Sequence, residues 1–536
     1  MKRSLAMVIG LVLLIGLVWM VAGRETAVAD NENLTRITYA SGSGRDSTSA
    51  SVSADGSKVV FSSDSDFLNQ GIIDGQNEIW LYNTTTDALQ RITTASASDR
   101  SSSKPSISGD GTKIVFRSDS DFLNQGIIRY QFQIWLYDVT TQNLTRVTTT
   151  SDSVRNADRP HISGDGNHIV FNGDFYVQGS PDSPREIWLY EVDLGDLTRL
   201  TTASSSDRLS ISPRTNNDGS KVVFVSDSDF LSQGIPSNQP EIWLMDVNTM
   251  TLTRITVASE FGRWSLAPDI DDSGNNIVFQ SDSDLLGQGI EQSQVEVWHY
   301  NTSTSQMFRV TTVSPGLGSI GDSTAPRISG NGRYIVFESL NDFTGQYRMG
   351  TIEVWLYDTV ADSMERLTIA PTAITNPNTA SHAPDINMTG ASIVFHSSVD
   401  FTNSTTQKMP SEVWLSERTI PQAEITLNFS SGAPGSYFSV AGQNFPPNET
   451  ATITVNGRTM GTTAVNGNGR FLFILSTANA DEGTYFVTAS VNPTVTKQFV
   501  LNADDPVRPQ EDSGDTFEVP AGIAFDQFVY LPMIVR

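Results

Sequence analysis

The sequence predicts an all-β fold: a seven-bladed β-propeller closed by its N-terminal strand and followed by a small β-sandwich. A Glu/Gln-Ile/Val-Trp triplet recurs seven times, at intervals of 53 to 59 residues. A second pattern, typified by LTRIT, also occurs seven times. Repeats of this length that each hold four short strands are typical of propeller blades. The tryptophans of the triplet are Trp80, Trp135, Trp188, Trp243, Trp298, Trp355 and Trp414.

Each repeat predicts four strands, and the second repeat shows them most clearly. They are Pro105–Ser108, Lys113–Phe116, Gln133–Tyr137 and Leu144–Thr148. Asp-Gly or Asn-Gly pairs separate the first strand from the second, which predicts two-residue hairpins with both central residues at positive φ. These pairs are Asp55-Gly56, Asp110-Gly111, Asp165-Gly166, Asp218-Gly219 and Asn331-Gly332.

The order of the two patterns predicts how the ring closes. The first LTRIT copy, Leu34–Thr38, precedes every triplet, and no copy follows Trp414. An open ring would leave unpaired strand edges at its two ends. We therefore expect Leu34–Thr38 to supply the outer strand of the seventh blade.

The repeat, written P-x-I-S-x-D-G-x-x-I-V-F-x-S-x-x-D, then I-W-L-Y-D and L-T-R-I-T, resembles the TolB-like, WD-like propeller repeat. The resemblance covers about residues 33–418 and implies a propeller over residues 30–420. TolB proteins have six blades and bind a peptidoglycan-associated lipoprotein, whereas this sequence has seven repeats. The resemblance therefore implies a fold and not a particular partner.

Residues 1–29 are predicted to be a signal peptide. Lys2 and Arg3 precede an apolar run from Leu5 to Ala22, and Ala27-Val28-Ala29 is a small-x-small cleavage site before Asp30. An uncleaved anchor is the alternative, because 18 apolar residues are close to the span of a bilayer. We expect an exported protein that is extracellular, periplasmic or at the cell surface, and that meets a membrane only through this segment if it is uncleaved.

The sequence changes character after residue 420. Residues 421–501 resemble a bacterial immunoglobulin-like module, with YFSVAGQNF, GNGRFLFILS and GTYFVTASV as candidate strands around Asn-Gly and Gly-rich turns. Residues 502–522 are acidic and Pro-containing, which predicts a linker. Residues 523–536 form a tail that is either a sorting element or an extra strand of the sandwich.

Composition limits the partners. The net charge of −26 argues against nucleic acid and anionic membrane surfaces. Cysteine is absent, so disulfides and thiolate metal sites are excluded. We expect a monomer whose partner is a protein, a peptide or a glycan of the cell envelope, and which needs no cofactor, with calcium as the one alternative.

Departures from the repeat are the candidate binding residues. The two long connections of each blade, such as Thr94–Lys104 and Arg117–Phe132, are expected on one face, and loops on such a face carry function. One position in the innermost strand, directly after the proline (after Ala50 in the first blade), differs among the blades and is expected to approach the central channel; a solvated or inter-blade polar position is the alternative. Its occupants are Ser51, Ser106, His161, Arg214, Asp269, Arg327 and Asp385. Arg263 and Trp264, in the entry loop of the fifth blade, form an aromatic–basic pair that is expected to be exposed and could stack on a sugar or anchor a peptide; packing is the alternative.

A repeated SDSD stretch has two interpretations. Its aspartates could bind calcium, although the spacing does not match a helical calcium loop. They could instead accept backbone N–H bonds where the long loop begins, which the survival of the second aspartate in all seven blades favours. The pairs are Asp64 and Asp66, Asp119 and Asp121, Asp227 and Asp229, and Asp282 and Asp284.

Two functions remain open from the sequence. The first is a non-enzymatic binding or scaffold protein that uses the long-loop face. The alternative is a polysaccharide-active lyase or hydrolase with a site at the channel, where His161 or His382 would act. The sequence contains no nucleophile elbow and no H-E-x-x-H motif, and so favours the first.

Overall fold

A computed structural model describes residues 33–42, 44–149, 156–174, 184–205, 207–312, 321–344, 351–370, 380–402, 409–420, 422–446, 449–467, 469–491 and 494–525. The predicted signal peptide, residues 1–29, lies outside them, as does most of the predicted tail. Within these ranges, no helix has the length and apolar character that a membrane crossing requires. The chain divides into two compact units, which are described in turn.

The first unit is the predicted propeller of seven four-stranded antiparallel sheets. Each innermost strand has six residues and contains a β-bulge, so that two of its residues face one residue of the second strand. The innermost strands are β2 (Ser47–Val52), β6 (Ser102–Ile107), β10 (Ala157–Ile162), β14 (Ser210–Thr215), β18 (Ser265–Ile270), β22 (Ser323–Ile328) and β26 (Ser381–Ile386).

The second and third strands form the core of each blade. They are rich in β-branched and aromatic residues, which suit strands that are buried on both faces. Val60 and Ile79 of the first blade pack with Ile114, Phe116 and Trp135 of the second, so apolar contact runs from blade to blade. The second strands are β3 (Lys58–Ser63), β7 (Lys113–Ser118), β11 (His168–Gly173), β15 (Lys221–Ser226), β19 (Asn276–Ser281), β23 (Tyr334–Ser339) and β27 (Ser392–Ser397). The third strands are β4 (Glu78–Asn83), β8 (Gln133–Asp138), β12 (Glu186–Glu191), β16 (Glu241–Asp246), β20 (Glu296–Asn301), β24 (Glu353–Asp358) and β28 (Glu412–Glu417).

The outer strands are short and are held by a buried carboxylate. In the first blade, Glu78 accepts hydrogen bonds from Arg91 (2.7 Å), from the Thr93 hydroxyl (2.5 Å) and from the backbone N–H of Ala95 (2.8 Å). We call this arrangement the outer clip. It explains why the triplet and the LTRIT pattern recur together. The outer strands within the repeats are β5 (Ala88–Arg91), β9 (Leu144–Arg146), β13 (Asp196–Arg199), β17 (Thr251–Arg254), β21 (Gln306–Arg309) and β25 (Ser363–Arg366).

The N-terminal strand closes the ring, as predicted. Strand β1 (Leu34–Arg36) pairs antiparallel with β28 and completes the seventh sheet. Arg36 and Thr38 complete the outer clip of that blade through Glu412, and the Arg36–Glu412 contact is 3.0 Å. The first and last parts of the propeller therefore share one sheet and one buried ion pair.

The first hairpin of each blade differs from the prediction. Between β2 and β3 the N–H of Gly56 bonds the carbonyl of Ser53, and five residues, not two, connect the strands. Gly56 has φ of 76°, whereas Asp55 does not have positive φ. Asp55 instead accepts bonds from Ser53 and Ser57. The hydrogen bonds of the Asp55 side chain thus hold the turn, which does not need a second residue at positive φ.

The second unit is a two-sheet sandwich with one shared core. One sheet has the order β29-β31-β34-β37 and the other β30-β36-β35-β32-β33. Phe438, Phe473, Tyr485 and Phe499 meet in the apolar interior between the sheets. Its strands are β29 (Glu424–Leu427), β30 (Ser431–Gly432), β31 (Tyr437–Gln443), β32 (Thr450–Val455), β33 (Arg458–Ala464), β34 (Phe471–Ser476), β35 (Gly483–Ser490), β36 (Thr494–Leu501) and β37 (Asp515–Glu518).

The linker prediction for residues 502–522 is wrong in its second half. Strand β37 pairs parallel with β34, and Val519 is fully buried in the sandwich core. Phe525 bridges to Thr484, so the tail begins as part of the sandwich edge. The acidic composition concealed a short alternating stretch, Asp515–Glu518, which is too brief to show a strand period on its own.

Candidate functional site

The seven variable residues form a ring in the innermost strands. Each occupies the fifth position of its strand, directly after the bulge, and we call this set the channel ring. Ser51, Arg214, Asp269 and Asp385 all line the central channel. The predicted register, one residue after the proline, therefore places these side chains around the channel.

Four ring side chains tie one blade to the next. Asp269 accepts the backbone N–H of Ile328 at 3.0 Å, and Asp385 accepts that of Val52 at 3.1 Å. The imidazole Nδ1 of His161 accepts the N–H of Thr215 at 3.2 Å, and the hydroxyl of Ser106 accepts that of Ile162 at 3.4 Å. Each acceptor bonds the residue that follows the ring position of the next blade. These side chains thus satisfy N–H groups on the exposed edges of the innermost strands.

Charge is arranged unevenly around the ring. Blades four to seven carry Arg214, Asp269, Arg327 and Asp385, which alternate in sign, whereas blades one and two carry serines. Burial and the neighbouring Arg327 lower the pKa of Arg214 to about 10, against the favourable pull of Asp269, so its guanidinium is protonated at neutral pH. Burial raises the pKa of Asp269, against the effect of the two guanidiniums.

His161 is a neutral member of the ring. Burial and the nearby Arg214 and Arg327 hold its pKa well below the usual value. Because Nδ1 accepts a backbone N–H, the neutral ring carries its proton on Nε2. His161 is therefore a fixed hydrogen-bonding group at neutral pH.

A second ring lies at the bulge, and the sequence analysis missed it. The third residue of every innermost strand has positive φ between 47° and 55° although none is glycine. A bulge redirects its side chain, and in most blades this residue contributes to the channel lining. We call this set the bulge ring. It consists of Ser49, Lys104, Arg159, Ser212, Ala267, Ala325 and Ala383.

The bulge ring has one cationic side. Lys104 and Arg159 stand in adjacent blades, and the other five members are small. Lys104 Nζ lies 2.8 Å from a carboxylate oxygen of Asp158, and the guanidinium of Arg117 lies 2.9 Å from the same oxygen. Arg159 is exposed and donates to the hydroxyl of Ser212 in the next blade. The predicted first strand began too late to include these residues, because Pro105 was taken as its start. The proline instead follows the bulge residue on a strand edge that needs no N–H donor.

A cavity of about 530 Å³ lies between the two rings at the end of the channel where the innermost strands begin. The innermost strands begin at the long connections, so this cavity opens on the long-loop face. Four basic side chains line it, Lys104, Arg159, Arg214 and Arg327, against one acidic side chain, Asp385. The chain as a whole is strongly acidic, with a net charge of −26, which makes a basic cavity at its centre distinctive.

The exposure expected for Arg263 is wrong. Its side chain is buried, at 7% exposure, and bonds the backbone carbonyls of Asp282, Ile290 (3.2 Å) and Glu291 (3.1 Å). The same contact to the loop carbonyl is made by arginines in other blades, namely Arg45, Arg100 and Arg208. This repetition in the sequence was the signal that identifies Arg263 as part of the scaffold. Trp264 is half-buried and its backbone N–H bonds Asp282.

The aspartates of the SDSD stretch accept backbone N–H bonds. Asp64 bridges the two long loops of its blade, since it accepts the N–H of Asp46 (2.8 Å) and that of Gly75 (2.9 Å). Asp66 accepts the N–H groups of Gln70 (2.6 Å) and Gly71 (2.8 Å). Burial raises the pKa of Asp66, but these hydrogen bonds together outweigh it and the pKa lies below the usual value.

The other copies of the stretch repeat this geometry. Within the described ranges, His, Cys, Asp and Glu side chains do not gather in threes at a distance that would hold a metal ion. Phe67, which follows Asp66, packs edge-on against Trp80 with ring centroids 5.0 Å apart. The corresponding bonds at the remaining predicted positions involve Asp119, Asp121, Asp227, Asp229, Asp282 and Asp284.

The two histidines of the alternative enzymatic interpretation are separate. His161 lines the part of the channel near the Asp-Gly turns. His382 lines neither end of the channel, and its Nδ1 lies 2.9 Å from the Glu338 carboxylate. His382 and Glu338 connect blades six and seven.

Comparison with known proteins finds similar solved structures. No family model and no curated protein sequence matches the chain. An oligogalacturonate lyase from Vibrio parahaemolyticus matches with 14% identity and a TM-score of 0.48, over 74% of this chain and 96% of its own. The propeller of the Trilobed protease from Pyrococcus furiosus matches with 12% identity and a TM-score of 0.45, over 70% and 94%. TolB from Acinetobacter baumannii matches with 17% identity and a TM-score of 0.36, over 60% and 62%. The chain is a β-propeller protein by its own seven four-stranded sheets and closing strand, with an additional C-terminal β domain, and these solved structures are what it is similar to.

Proposed function

We propose that the protein is an exported, non-enzymatic binding protein whose propeller recognises a protein partner on the long-loop face and receives an acidic segment of that partner in the channel mouth. The observation that carries this proposal is the basic cavity between the two rings. Opposite charge attracts and orients a partner, and the effect is strong where the site is partly enclosed.

The surroundings of the cavity favour a polypeptide over a sugar. The described residues that line it include five prolines and no aromatic side chain on which a sugar ring could stack. On the same face, the long loops present a leucine in each of four blades at 43% to 46% exposure: Leu68, Leu123, Leu231 and Leu286. Apolar side chains that surround a charged centre suit a protein interface.

Binding of fluorescein-labelled hexaglutamate, followed by anisotropy, tests the proposal. We expect saturable binding that weakens with salt, and no binding of hexalysine. Arg159→Glu should reduce the affinity about tenfold, which corresponds to about 1.4 kcal/mol. Arg159 is suitable because its side chain is exposed and makes one polar contact, to Ser212.

Arg470→Glu, at an exposed position of the sandwich, is the matched control and should leave binding unchanged. A galacturonate trimer serves as the glycan probe. If the trimer binds more tightly than hexaglutamate, the proposed partner is a glycan and not a protein. Cleavage of the trimer would overturn the non-enzymatic proposal, and no binding of hexaglutamate would overturn the acidic segment.

A further inference from the structure

The innermost strands present N–H groups to the channel that their own sheets do not use. In the fifth blade the N–H of Asp271 bonds the carbonyl of Asn276, and Ile270 stands opposite Ile277. Residues opposite each other in an antiparallel pair alternate between bonded and non-bonded, so the N–H of Ile270 points away from the second strand. A group in this position needs an acceptor from elsewhere.

The channel ring supplies that acceptor in four blades. The corresponding N–H groups belong to Ile162, Thr215, Ile328 and Val52. Their acceptors are Ser106, His161, Asp269 and Asp385, each from the preceding blade. The rule is regular: a ring side chain accepts the N–H that follows the next ring position.

Three of the seven ring positions depart from this pattern: Ser51, which precedes Ile107 around the ring and makes no such bond among the described contacts, and two arginines. Arg214 precedes Ile270 around the ring, and Arg327 precedes Ile386. A guanidinium has five N–H donors and no acceptor, so it cannot take either N–H.

The Nε of Arg214 lies 3.8 Å from the carboxylate of Asp269, the residue before Ile270. Arg327 holds the equivalent ring position before Ile386; it lines the channel cavity, and one of its N–H groups bonds the carbonyl of Pro326 at 2.9 Å. From the ring geometry we infer that, at these two places in the described part of the chain, side-chain donors and a backbone N–H lie at the channel together.

We propose that these two places are carboxylate-binding subsites, one at Arg214 and Ile270 and the other at Arg327 and Ile386. The inference rests on the proposed function and deepens it, because it assigns positions to the acidic groups of the bound segment. A carboxylate has two oxygens, so one can take the backbone N–H while the other pairs with the guanidinium. Asp269 lies between Arg214 and Arg327 in the order of the ring and faces Arg214 at 3.8 Å, so its carboxylate separates the two bound carboxylates and favours a segment with spaced acidic groups.

Amide NMR of the full chain labelled with ¹⁵N-isoleucine tests the subsites directly. The probe is sodium acetate, titrated against sodium chloride at equal ionic strength. The amides of Ile270 and Ile386 should shift saturably with acetate. Ile162 and Ile328 are internal controls, because Ser106 and Asp269 already occupy their N–H groups. Single conservative Ile→Val substitutions at the two sites assign the signals.

Arg214→Ser and Arg327→Ser provide the matched variants, because serine is the residue that makes the tie at Ser106. Each variant should abolish the acetate shift of its own isoleucine and reduce hexaglutamate affinity about tenfold, without lowering the melting temperature. Arg470→Ser removes one positive charge from the sandwich and should change neither the acetate shifts nor the affinity for hexaglutamate.

The outcomes separate this inference from the proposed function. Acetate shifts that are equal at all four isoleucines would overturn the subsites even if hexaglutamate binds. Selective shifts without hexaglutamate binding would retain the subsites and overturn the proposed partner.

Discussion

The outer edge of the propeller and its inner edge follow opposite rules. At the outer edge, a carboxylate or amide, a threonine and an arginine recur from blade to blade. Glu78 and Glu412 make the same three bonds, although the partners of Glu78 follow it in the chain and those of Glu412 come from the N-terminal segment. At the inner edge, the ring residue is a serine, a histidine, an arginine or an aspartate. The repeated side chains bond within one sheet, whereas the variable ones bond between sheets or face the channel. What differs between the blades is therefore what this protein could use to select a ligand.

Removal of the closing strand tests the outer edge most severely. Without residues 30–38 the buried side chains of Leu34 and Ile37 are lost, and Glu412 remains buried without Arg36 and Thr38. The loss of two buried apolar side chains, together with a carboxylate left buried without its partners, should lower the free energy of unfolding by more than about 5 kcal/mol. We expect the melting temperature, measured by calorimetry, to fall by about 10 °C or more. Removal of residues 30–32 alone retains β1 and is the control; an unchanged melting temperature in the longer deletion would contradict the closure.

Substitution of the carboxylate in a single outer clip should lower the free energy of unfolding by less than the deletion, and by an amount that depends on the replacement. Glu78→Ala leaves the guanidinium of Arg91, the Thr93 hydroxyl and the N–H of Ala95 without their acceptor, at a cost of about 3 kcal/mol or more. Glu78→Gln should cost less than half as much, because Gln133 already accepts from Thr148 in the second blade at 2.9 Å. Denaturant unfolding measures both. Equal losses in the two variants would show that charge, and not hydrogen bonding, holds the outer strand.

The tie between blades six and seven should respond to pH. The Glu338 hydrogen bond raises the pKa of His382 above 6.5, while burial opposes it. Burial raises the pKa of Glu338, but its hydrogen bonds, chiefly from His382, outweigh this and hold it below 4.5. A raised histidine pKa contributes stability that is fully present below pH 6.5 and is lost as the pH rises through the folded value; a lowered glutamate pKa contributes stability that is lost as the pH falls below 4.5.

His382→Ala should therefore lower the melting temperature more at pH 5.5 than at pH 8, with a difference of about 1–2 °C because His382 is partly exposed. His168→Ala is the control, since this histidine is also partly exposed and contacts an aspartate within its own blade. A difference of the same size in both variants would contradict a specific effect of the Glu338 pair.

The sequence predicted the fold well because a propeller repeats its strong signals. Trp80 and its six counterparts defined the blades, and the extra copy of the outer strand at Leu34 revealed the closure. The channel ring was found for the same reason, by reading one register across seven repeats. Residues 515–519 were missed because one short strand in an acidic stretch gives no repeat to compare.

The remaining features of the site depend on geometry that the sequence does not display. The bulge ring requires positive φ at non-glycine residues such as Lys104 and Arg159, which no local preference predicts. The ties at Asp269 and Asp385 connect residues 59 and 333 positions apart. Arg263 was the avoidable error, because a loop residue beside a tryptophan looked exposed although other repeats carry arginine at the same position.

The bulge has a consequence for how such a protein could change its ligand. The backbone of all seven bulge residues is the same, whether the side chain is serine, lysine, arginine or alanine. Each blade therefore offers one position whose side chain differs while the backbone of the bulge stays the same. Seven such positions around one opening form a combinatorial set, from which duplication and divergence of blades, or a designed library, could produce new recognition properties on an unchanged scaffold.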